Sequence, residues 1–66
     1  MIFHKGACIH CLDNNIISQC QSDFLIIIDV VHIKNNIVMY KAKSPVNSKI
    51  VFIDNTLIDG IQIQIN

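Results

Sequence analysis

Three cysteines and two histidines crowd the first twenty residues. Cys8-x2-Cys11, with Cys20 and with His4 and His10 nearby, could supply four ligands to zinc, which takes thiolates and imidazoles in a tetrahedron. On an extended strand, however, residues three apart face opposite sides. A site there needs a knuckle turn, and Gly6 comes too early to make one. The three thiols therefore read first as small buried or surface side chains. Their odd number does not describe a disulfide framework.

A second chemistry would use carboxylates. Asp13 and Asp54 recur at equivalent places in a repeated phrase. Stacked two turns of chain apart, they would stand roughly 9–10 Å from each other, close to the roughly 6.5–9.5 Å of an inverting glycosidase pair. Lys34 would stand between them and neutralise both, so a solvated charge ladder is the plainer reading. His32 falls in an outward column with Cys11 and Phe52, where an isolated imidazole is a surface residue before it is a base. Tyr40 could stack on a sugar or simply pack.

The phrase that places these residues occurs three times: Leu12-Asp13-Asn14-Asn15-Ile16-Ile17, Ile33-Lys34-Asn35-Asn36-Ile37-Val38 and Ile53-Asp54-Asn55-Thr56-Leu57-Ile58. The central Asn14, Asn35 and Asn55 are separated by 21 (35 − 14) and 20 (55 − 35) residues. Such a period predicts a solenoid, each turn stacked on the last. Asn tolerates the left-handed backbone of a tight corner. Stacked at about 4.8 Å, the three amides would bond into an asparagine ladder. The column Asp13, Lys34, Asp54 would set a cation between two anions on the outer face.

These phrases, with Asp59-Gly60-Ile61-Gln62-Ile63, resemble the repeat of right-handed parallel β-helices, the pectin-lyase-like superfamily. The resemblance covers residues 9–65. It implies an all-β right-handed parallel β-helix of about three rungs (9–28, 29–48 and 49–66), with residues 1–8 as an N-terminal cap. The superfamily includes polysaccharide lyases, glycosidases, tailspikes and adhesins, but none of their catalytic residues can be placed on this chain.

Composition fits a single all-β domain. Of 66 residues, 52% are hydrophobic, and the β-branched Ile and Val that dominate favour strands. No sustained helical spacing or capping box is read anywhere. Phe24–Ile28 reads as a buried strand ending in a bend at Asp29, and Ser18–Asp23 as a turn. Ile2–His4 reads as a short strand before a bend at Gly6, residues 41–48 as a protruding loop, and residues 61–65 as a half-buried terminal strand.

The five basic residues are all Lys and the five acidic ones all Asp, for a net charge of zero. That argues against nucleic acid, whose affinity comes largely from neutralised phosphates. The N-terminus has no signal-peptide pattern and no apolar run approaches a membrane span, which makes an intracellular location the default.

Three readings of function follow. The first is a structural or interaction module whose open strand ends pair with a copy of itself, with a partner, or with the rest of a longer solenoid. The second is a carbohydrate-binding or carbohydrate-cleaving fragment, in which Asp13, Asp54 or His32 lines a groove with calcium or a sugar. The third is a small antiparallel β-barrel that binds RNA. Ser22-Asp23, the strand to Lys34, the Asn35-Asn36 turn, the strand to Lys43 and Pro45 are similar to the carbon-storage-regulator family of translational repressors. Asn35-Asn36 can close a hairpin, but that family's arginines are missing here.

Overall fold

The computed structural model describes residues 2–60. Its strands are β1 (Cys8–His10), β2 (Phe24–Lys34), β3 (Ile37–Lys43) and β4 (Ile50–Asp54). One helix, α1 (Asn14–Cys20), connects β1 to β2, and a single 3-10 turn (Asn55–Leu57) follows β4. The strands form one sheet in the order β1-β2-β3-β4, and every neighbouring pair is antiparallel. The sheet curls into a half-barrel. This overturns the parallel β-helix, its three rungs and the pectin-lyase-like resemblance, and it agrees with the small antiparallel β-barrel.

β2 is the spine. The strand does not end at Asp29 but continues through it, with two register shifts, between Ile27 and Asp29 and between Val30 and His32. An extra residue in one strand sharpens local twist and bends it. Phe24–Ile26 can therefore pair with β1 while Ile26–Lys34 follows β3. Lys34 and Ile37 are paired across a two-residue turn. Asn35 (φ 52°) and Asn36 (φ 69°) are both left-handed there, as a primed hairpin turn demands.

The chain after the 3-10 turn returns to the far edge of β1. Cys11 bridges Ile58, Leu12 N–H donates to the Leu57 carbonyl (2.8 Å), and Asp59 N–H donates to the His10 carbonyl (3.0 Å). These bonds cover part of the edge that β1 would otherwise expose. The expected terminal strand at 61–65 lies outside the described residues.

Side chains that point inward along the sheet make the core. Ile9, Leu25, Ile27, Tyr40, Ala42 and Ile53 are fully buried, joined by Phe3, Val38, Val51 and Ile58. Full burial of each large aliphatic side chain contributes roughly 1.5–3 kcal/mol. Phe3 belongs to no strand, although one was expected over Ile2–His4. It packs edge-on against Tyr40 at 5.8 Å, and its N–H donates to the Tyr40 hydroxyl (3.0 Å). The bend at Gly6 is present, with φ at 92°.

α1 covers the open side of the curl, where no helix was expected. Asp13 caps it, accepting from Asn15 N–H (2.9 Å) and Ile16 N–H (3.1 Å), and Gln21 ends it in the left-handed region. Ile16, Ile17 and Cys20 turn toward the core. The capping aspartate stabilises a short helix whose two β-branched isoleucines would not form one unaided.

The segment after β3 is no protruding loop. Lys41–Lys43 belong to β3, and the turn beyond is pinned to the end of α1. The buried Ser44 hydroxyl donates to the Cys20 carbonyl (2.6 Å), and Asn47 Nδ2 donates to the Gln19 carbonyl (2.9 Å). Two carbonyls left open by the helix end are thus satisfied by a distant turn. Among the described residues, no helix is long and apolar enough to cross a membrane.

Candidate nucleic-acid interface

Strand alternation sends one set of side chains into the core and the other onto the convex face of the sheet. Strand register sorts that face into rows. His10 stands beside Phe24, and Cys8, Ile26, Lys43 and Ile50 form the next row. Asp29, Lys41 and Phe52 follow, then His32, Met39 and Asp54, and finally Lys34 with Ile37. Phe52 is 60% exposed and Phe24 37%, while Ile37 and Ile50 are also open to solvent.

Charge is distributed unevenly over the chain. Lys34, Lys41, Lys43 and Lys49 all lie on or beside β2, β3 and β4, whereas Asp13, Asp23 and Asp59 gather around β1 and α1. Among the described residues, no lysine ammonium lies within 4.0 Å of a carboxylate. The ammonium groups on the sheet are therefore available to an external anion. Asp29 and Asp54 moderate the face without pairing, and Asp54 is already occupied as the cap of the 3-10 turn. Its Oδ1 accepts from Thr56 N–H (2.8 Å) and from the Thr56 hydroxyl.

His10 is fixed where β1, the start of β2 and the returning chain meet. Its Nδ1 lies 3.2 Å from Asp59 Oδ2, its Nε2 lies 3.9 Å from Asp23 Oδ2, and its ring rests at 5.1 Å from that of Phe24. The imidazole steadies one side of the Phe24 ring.

The other sequence candidates are dispersed. All three cysteines are buried, Cys11 and Cys20 in the core cluster and Cys8 in register with Ile26, and His4 is exposed. Among the described residues, no three His, Cys, Asp or Glu side chains form a group that could hold a metal ion. The zinc candidates Cys8, Cys11, Cys20 and His10 are thus not gathered. Burial pushes the Cys20 thiol above its ordinary value, with Lys49 opposing, and burial is also the main cause of the upward shift of Cys11.

Asp13 and Asp54 cap two separate helical turns instead of facing one groove. His32 is exposed on β2, in the row of Asp54. Tyr40 is fully buried and offers no face to a ligand.

The asparagines do not stack. Asn14 opens α1, Asn35 sits in the hairpin, and Asn55 opens the 3-10 turn. Asn55 does reach the hairpin. Its Oδ1 accepts from Val38 N–H (3.0 Å) and its Nδ2 donates to the Asn36 carbonyl (3.0 Å), so it clamps backbone rather than another amide.

Sequence reasoning missed Phe24, Lys41, Lys43 and Phe52 as a group. Their alternation is visible in the sequence, but the register that brings them together is not. Comparison with protein-family models, curated proteins and solved structures finds no match.

Proposed function

We propose that the chain is a small RNA-binding β-domain that takes a single strand on the convex face of its sheet, as a translational regulator of this size would. One observation carries the reading: Lys34, Lys41 and Lys43, unpaired with any carboxylate among the described residues, share one face with the exposed Phe52, which pairs with Lys41. Lysines supply attraction to phosphates, and exposed rings supply sequence-tolerant stacking to unpaired bases. The antiparallel half-barrel and the left-handed Asn35-Asn36 hairpin are in keeping with it.

A zero net charge limits the affinity but does not remove the local field, because Lys34, Lys41 and Lys43 share the face while Asp23 and Asp59 are held at His10 on its Phe24 side. Three phosphate contacts on a single strand give a slope of about −2 for log K against log salt. Fluorescence anisotropy with a labelled single-stranded RNA across a salt series tests this. Binding that weakens with that slope, and a Lys41→Gln/Lys43→Gln variant that flattens it, are the expected results. No binding at low salt overturns the reading.

The same face could instead meet a second copy of the chain, since Ile37, Ile50 and Phe52 expose apolar surface on it. Sedimentation in the absence of RNA separates the two. A dimer that Phe52→Lys dissociates assigns the face to self-association.

A further inference from the structure

The row register arranges three convex residues on one diagonal of the sheet. Phe24 lies on β2, Lys43 lies one strand and one row further on β3, and Phe52 lies one strand and one row beyond that on β4. Diagonal neighbours in an antiparallel sheet are roughly 7–8 Å apart, so the two phenylalanines stand on the order of 15 Å from each other with Lys43 at the position between them. Both rings are solvent-exposed, although an apolar ring on a strand gains free energy by burial. Phe24 is in addition backed by His10, which Asp59 holds in place.

We infer that this diagonal is a two-base track: one unpaired base stacks on Phe24, a second, further along the strand, stacks on Phe52, and the phosphate backbone between them lies against Lys43. The inference rests on the RNA-binding reading and adds to it a strand path and a minimum ligand. Two rings this far apart cannot hold adjacent stacked bases, which sit about 3.4 Å apart in a helix. The ligand must therefore be an unstacked single strand, splayed across the sheet as bases are on other sheet-based RNA modules. A duplex, whose bases are inaccessible to the rings, is excluded from the track. At this span the strand is on the order of four nucleotides or more, the lower end of what a small β-barrel covers. Lys41 borders Phe52 in the same row and extends the path toward Lys34.

Anisotropy with a fluorescent hexauridylate and with a fluorescent RNA duplex, on the full chain and on Phe24→Leu, Phe52→Leu, their double variant and Lys43→Gln, tests the track. Leucine keeps apolar bulk and removes the π face, and circular dichroism melting verifies that each variant folds. Each Phe→Leu change is expected to weaken hexauridylate binding roughly 5- to 100-fold. The two losses should multiply in the double variant, as for separate bases. Lys43→Gln should reduce the salt slope by about 0.7.

Hexauridylate binding that Phe52→Leu weakens but Phe24→Leu leaves unchanged overturns the track while the RNA-binding reading stands. Equal affinity for the duplex does the same. No binding of either ligand by the unaltered chain at low salt removes the reading itself, and the track with it.

Discussion

The two faces of the sheet are built from the same strands and the same kinds of residue, yet they have opposite fates. On the inner face Ile9, Leu25, Ile27, Tyr40 and Ile53 are sealed against one another. On the convex face Phe24, Ile50 and Phe52 are left in water beside Lys41 and Lys43. Curl explains the difference. A bent sheet crowds its concave side, which α1 and Phe3 then close, and spreads its convex side, where Phe24, Ile50 and Phe52 stay exposed. The inner face holds the molecule together, and the convex face is where it can meet something else.

That division predicts unequal costs for changes of similar chemistry. The largest belongs to the inner face: Leu25→Ala should cost about 2–5 kcal/mol in urea unfolding, through lost transfer energy and the cavity left behind. A smaller loss would mean that the curl is looser than its sealed core indicates. Next, Tyr40→Phe should cost about 1–3 kcal/mol, because Phe3 N–H loses its buried acceptor while the ring packing survives.

The cap of the helix that closes the concave side comes third. Asp13→Ala should cost about 0.5–2 kcal/mol, while Asp13→Asn should cost less because an amide oxygen can still accept. On the convex face, Lys41→Gln and Lys43→Gln should move stability by no more than about 0.5 kcal/mol while weakening RNA binding. A large stability loss there would erase the contrast between the faces.

The smallest effect should come from the buried thiols. Cys11 and Cys20 have their pKa raised above the ordinary 9.0 in the folded chain, so the folded state favours the protonated form. Their contribution is fully present below the unfolded value and is lost as pH rises through the folded one. Stability should fall as pH climbs past about 9, and the fall should be shallower in Cys20→Ala. A parallel pH profile for variant and unaltered chain would contradict it.

The three near-identical phrases show how far a sequence can be read without its contacts. Each marks a corner, as their polar centres indicate, but the corners are of three kinds. Asp13 and Asp54 each present a carboxylate to the next N–H groups and so begin a helical turn. Lys34 has no acceptor to offer, and Asn35-Asn36 closes a hairpin instead. The residue before each Asn carries that information: an Asp there starts a helical turn, and a Lys there does not. A period of about twenty residues then suggested stacking where an antiparallel meander of short strands produces much the same spacing. The spacing of Ile16, Ile17 and Cys20 behind a capping aspartate was the missed sign of α1.

Composition alone determined that this chain is built chiefly from strands, because a surplus of β-branched Ile and Val favours extended backbone. Local chemistry determined where the chain turns, because Asn and Asp favour corners wherever they stand. Tertiary structure decided the direction of the strands and which residues share a face. The cause is register: the bulges in β2 and the clamp from Asn55 to the hairpin are set by contacts between residues far apart in the chain. A shift of one position would exchange Phe52 and Lys43 with the core.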